Sequence, residues 1–68
     1  MNEDVVNMEI RKFLKKVGIT SQREIEKALQ EADAAGKLQG SGPFRATMTL
    51  EVAGLGLSHR IDGEIAVE

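Results

Sequence analysis

Leu14-Lys15-Lys16-Val17-Gly18-Ile19-Thr20-Ser21-Gln22-Arg23-Glu24 is the stretch on which the fold turns, because it either ends one helix and starts another or runs through. Upstream of it, Val6, Ile10, Phe13, Leu14 and Val17 recur at offsets of three and four, which sets them on one stripe of a helix over about residues 3–17. Asn2 suits the N-cap, with Glu3 and Asp4 in the first turn and Lys15 and Lys16 in the last, both favourable to the helix dipole. Gly18 reads as a left-handed terminator, with Ile19 folding back onto the last turn. Ser21-Gln22-Arg23-Glu24 then fits a capping box, Thr20 being the other candidate cap. A second helix over about 21–35 follows, with Ile25, Ala28, Leu29 and Ala32 as its stripe and Gly36 as its end. So short a connection would force the two helices together as a corner.

Downstream, Gly36 to Pro43 has the composition of a flexible loop. From Phe44 the period changes to two: Phe44, Ala46, Met48, Leu50 and Val52 alternate with Arg45, Thr47, Thr49 and Glu51. The alternation resumes after Gly56 as Leu57, His59, Ile61, Gly63, Ile65 and Val67, giving strands at about 44–53 and 56–67. A two-residue type II′ turn at Gly54-Leu55, with positive φ at Gly54, pairs Val52 with Leu57, Leu50 with His59, Met48 with Ile61 and Arg45 with Glu64. The rival turn at Asp62-Gly63 would set Ile61 opposite Glu64 on one face, and it is rejected.

The expected fold is therefore a single α+β domain over residues 1–68, two N-terminal helices in a helix-turn-helix corner packed on one face of a C-terminal antiparallel β-hairpin. Val6, Ile10, Phe13, Leu14, Val17, Ile25, Leu29, Met48, Leu50, Ile61 and Ile65 are its expected core.

Composition narrows the function classes. The chain has 68 residues, no cysteine and one histidine, which removes disulfides and thiolate sites and leaves a zinc site to be built almost entirely from carboxylates. No apolar run approaches the ~20 residues of a bilayer span, and the acidic start is unlike a signal peptide, so a cytoplasmic setting is expected. The net charge of −2 disfavours broad affinity for nucleic acid or anionic lipid. Phe13 and Phe44 are the only aromatics, and both fall in core-facing patterns, leaving no platform for stacked bases.

Three features suggest sites. Arg11, Lys12, Lys15 and Lys16 cluster at the end of the first helix and could meet an acidic partner, or simply form a solvated face that complements the helix end. The Gly18-Ile19-Thr20 corner resembles that of helix-turn-helix DNA readers, and the hairpin after it a winged variant. Against this, Ile25 and Leu29 come one residue late, and Glu24, Glu26, Glu31 and Asp33 would repel phosphate. His59 is the one histidine, it falls on the inward face, and no nucleophile or paired acid accompanies it there. No catalytic residue, cofactor or small-molecule substrate is indicated. The expected role is a non-enzymatic protein-interaction module, its partner an unknown protein or a second copy joined through the open sheet edge. A small DNA-binding regulatory protein is the alternative.

The runs Met1 to Val5, Ile10 to Gly18, Thr20 to Ala28, Gly54 to Leu57 and Gly63 to Ala66 are similar to those of a family of short bacterial proteins of unknown function. The resemblance covers nearly the whole chain. It implies a bacterial, cytoplasmic setting and carries no activity, cofactor or site residue.

Overall fold

Asn2 opens the first element as its side chain was expected to. Its Oδ1 accepts the N–H of Val5 at 3.2 Å, and its carbonyl accepts the N–H of Val6 at 3.1 Å. In the computed structural model, which describes residues 1–68, the helix that begins there does not stop at Gly18. It runs unbroken from Glu3 to Ala34, 32 residues (α1).

The expected two-helix corner is thus corrected to one long helix. Gly18 is not among the residues with positive φ, so it does not cap. The reason is a balance of terms. A glycine inside a helix costs about 1 kcal/mol relative to alanine, whereas stopping there strands backbone groups at two new helix ends. The apolar stripe also crosses the glycine in phase, through Val6, Ile10, Leu14, Val17, Ser21, Ile25, Ala28 and Ala32 at offsets of four, four, three, four, four, three and four. Two helices need not share a phase; this stripe does. Ser21 therefore lies mid-helix rather than at a cap, and Gln22 Nε2 donates to Glu26 Oε1 at 2.8 Å, one turn on.

The true stop is at the second glycine. Gly36 has φ +71°, its N–H bonds the Asp33 carbonyl at 2.9 Å, and the Lys37 N–H bonds the Ala32 carbonyl at 2.9 Å. That pair of bonds is a Schellman ending, which needs a left-handed residue at its centre.

The chain divides into two compact units, Met1–Lys37 and Leu38–Glu68. The second unit is a β-hairpin of β1 (Phe44–Val52) and β2 (Leu57–Ile65), joined by a single 3-10 turn at Ala53–Leu55. Its register is the expected one: Val52 faces Leu57, Leu50 faces His59, Met48 faces Ile61, Ala46 faces Gly63 and Arg45 faces Glu64. The turn itself is different. Four residues, 53–56, connect the strands; the Gly56 N–H bonds the Ala53 carbonyl at 3.0 Å, and the positive φ (+64°) belongs to Gly56, not Gly54. Both turns join Ala53 to Gly56 around Gly54-Leu55, so the register survives the change of turn type. Strand β2 also ends at Ile65, two residues short of expectation.

The expected core is corrected as well. No residue of the chain is buried. Val6, Val17, Leu29, Leu50 and Ile65 are half-buried, while Ile10, Phe13, Leu14, Ile25, Met48 and Ile61 are exposed. The expectation required helix to close on helix at a corner, and with α1 continuous that contact does not exist.

The two revised glycine assignments are directly testable. Gly18 has helical backbone and open space where a Cβ would project, so Gly18→Ala should raise helix stability by about 1 kcal/mol. A helix-ending left-handed glycine would give the opposite sign, and thermal melting followed by circular dichroism decides between them. In the hairpin, Gly56→Ala should cost about 1–2 kcal/mol through its positive φ, while Gly54→Ala should be close to neutral. Reversal of those two effects would restore the turn centred on Gly54.

Candidate interaction surface

At 100° per residue, Val6, Ile10, Phe13, Leu14, Val17, Ser21, Ile25, Ala28 and Ala32 fall within an arc of about 120° on α1. The stripe spans about 40 Å of helix from Val6 to Ala32. Along it Ile10 is 50%, Phe13 51% and Leu14 53% exposed, high values for side chains of this size. The hairpin has a comparable face: Phe44, Met48, Val52, Leu57 and Ile61 project from one side of the ribbon and are all exposed.

The basic quartet takes a different place from the expected one. Arg11, Lys12, Lys15 and Lys16 sit in the middle of a 32-residue helix, whose last turn carries no basic residue. Their role as complements of a helix end is therefore corrected. The dipole charge is confined to the terminal turns and exerts little pull here. The four residues occupy an arc of about 140° centred opposite the apolar stripe. All four are exposed, and none makes an ion pair. They form a solvated cationic band with no structural task within α1.

The helix-turn-helix reading loses its geometry at the same point. The residues that would have formed the corner, Gly18-Ile19-Thr20, are one straight run of helix, so no separate reading helix is presented by Arg23 and Lys27.

On the hairpin, His59 faces Leu50 in register and is exposed. Ser58 and Asp62 project to the other face, as the alternation requires. Asp62 gathers what polar structure that face has. Its Oδ1 accepts from Arg60 Nε at 3.0 Å and from Thr47 Oγ1 at 3.3 Å, with Arg45 Nη2 at 3.8 Å. Arg45 thus pairs diagonally with Asp62 although Glu64 is its partner in register. This cluster was not foreseen; the signal for it was the alternation itself, which puts Arg45, Thr47, Arg60 and Asp62 on one face. With Asp62 49% exposed, the cluster is a surface network rather than a reactive site.

The dents along α1, such as that between Ile19, Gln22, Arg23 and Glu26, lie on one flank of a helix. No group of three His, Asp or Glu residues is placed to hold a metal ion. No helix is long and apolar enough to cross a membrane.

The profile of a family described as "Family of unknown function (DUF6494)" matches residues 1–68, and the chain belongs to that family. No curated protein and no solved structure matches it.

The Asp62 network should contribute little to stability. Asp62→Asn should shift the urea midpoint by an amount equivalent to under about 1 kcal/mol, with the effect shrinking further in high salt. A loss of several kcal/mol, insensitive to salt, would show that this face is covered in solution.

Proposed function

We propose that the protein is a non-enzymatic interaction module whose working surface is the apolar stripe of α1. The carrying observation is that a continuous 40 Å apolar stripe, about seven turns long, lies on a helix with no buried residue. Exposed apolar patches of this extent mark association surfaces in stable proteins, since each exposed CH₂ forgoes about 0.8 kcal/mol of burial. The lysines and arginines of the helix all lie outside the stripe, and the only charges within its arc between Val6 and Ala32 are the acids Glu24 and Glu31 in its second half. A second surface supports the same reading: in a two-stranded sheet each strand has one unpaired edge, which is a template for a further strand. A bacterial, cytoplasmic setting, expected from the sequence, belongs to this proposal.

The reading is tested in cells of the source organism with a photo-crosslinking amino acid introduced at Phe13, on the stripe, or at Lys12, on the cationic side. Adducts of one or a few discrete masses should form from position 13 and be absent from position 12. No adduct at either position, or the same pattern at both, would overturn the stripe as a working surface.

A further inference from the structure

Within the reading of α1 as an association surface, we propose that the occupant of the stripe is a second copy of this chain, its helix running antiparallel to the first. The stripe is asymmetric along its length. Its first half carries the large side chains Val6, Ile10, Phe13, Leu14 and Val17, and its second half the smaller set Ser21, Ile25, Ala28 and Ala32. Two copies placed head to tail about the helix midpoint set Val6 against Ala32, Ile10 against Ala28, Phe13 against Ile25 and Val17 against Ser21. In each pair the larger side chain meets the smaller, which is how facing helices interdigitate without voids or clashes. One registration satisfies all four pairs, each summing to residue number 38, and it sets the remaining large side chain, Leu14, opposite Glu24. A parallel pair would instead stack Phe13 on Phe13 and leave Ala28 and Ala32 facing their own copies across a gap.

Charge favours the same direction. Arg11, Lys12, Lys15 and Lys16 are four cations with no acid among them, whereas Glu24, Glu26, Glu31 and Asp33 are interrupted only by Lys27. Antiparallel pairing sets the cationic half of one copy beside the acidic half of the other, an effect of net field because the cations are centred on the side away from the contact; parallel pairing superposes like on like. On the flank beside the stripe, where an antiparallel pair brings identical flanks together, Glu9 comes opposite Lys27. Glu31, at the margin of the stripe, approaches Glu9 of the other copy, and Lys27 one turn before it on the same helix offsets that repulsion. The two-fold axis repeats each pair, so the contact is closed and self-complementary and does not propagate into filaments. The helix dipoles also oppose one another in this arrangement.

The absence of cysteine from the chain makes the geometry directly readable. Full-length Ile10→Cys and Ala28→Cys proteins are purified and oxidised separately and as an equimolar mixture, with molecular mass followed by light scattering over a wide concentration range. The expected result is a dimer for the unmodified chain and a disulfide-linked species that forms chiefly in the mixture, at least tenfold above either variant alone. Lys27→Glu should raise the dimer dissociation constant about tenfold, and Glu9→Lys in the same chain should restore most of it. That charge swap lies outside the apolar contact, and unchanged helical circular dichroism establishes that the variants fold.

A monomer at every concentration would overturn the second copy as occupant, leaving the stripe to this chain's own hairpin or to another protein. Cross-linking of each variant to itself would overturn the antiparallel direction. A dimer that forms neither disulfide would overturn α1 as the contact. The association reading itself fails separately, when the photo-crosslinker at Phe13 captures nothing in cells.

Discussion

The backbone hydrogen-bond ladder of α1 passes Gly18, and the rest of the structure depends on that continuity. A helix interrupted there would be two amphipathic segments of about four turns each, short enough to fold against one another and bury their stripes. Uninterrupted, the same residues make a rod whose apolar side has no partner within the helix. The difference rests on a small free energy. One interior glycine weakens a helix by about 1 kcal/mol, and the β-branched Ile19 and Thr20 beside it add a few tenths more. Against this stand the backbone bonds of a full helical turn and the cost of building a new cap.

The same comparison explains why one glycine stops the helix and another does not. Beyond Gly36 the stripe ends: Lys37 follows, and then Gly40, Ser41, Gly42 and Pro43. Stopping there forfeits no further apolar periodicity, and the Schellman bonds satisfy the last carbonyls at once. Glycine identity is therefore a weak stop signal on its own. Phase of the apolar pattern on either side is the stronger one, because it reports whether the helix still has a face to present.

Legibility followed that division between local chemistry and phase. The N-cap at Asn2, the stop at Gly36 and the whole hairpin register could be read from residues, each being determined over a few positions by side-chain hydrogen bonding, positive φ or strict alternation. The turn was read in the right place but as the wrong type, because Gly54 and Gly56 are equally able to take positive φ and the register does not distinguish between them. The helix break was misread because Gly18, followed by Ser21 and Glu24, satisfies a stop and a start at once. The in-phase run of Val17, Ser21 and Ile25 contradicted both, and Ser21 concealed it by being polar. That error propagated. It placed the basic quartet at a helix end and counted the stripe residues as core. The Asp62 cluster was implicit in the strand alternation, but only the register shows that Thr47 and Asp62 are directly opposed.

The polarity of Ser21 then bears on what the stripe is for. A 40 Å apolar face made wholly of large residues would bind any oily surface and specify nothing. Here the bulky half is matched in length by a half of small residues, with a serine near the junction, and the charges change sign between the same two halves. Such gradients have no effect on whether an isolated helix forms, since propensity is blind to which end is large and which is small. They matter when a second surface must be recognised in one direction and one register, because only then does size have to meet its complement and cation its anion. A surface that carries its own complement in reverse order needs no other protein to satisfy it. The simplest chain able to do so is an identical one turned end for end.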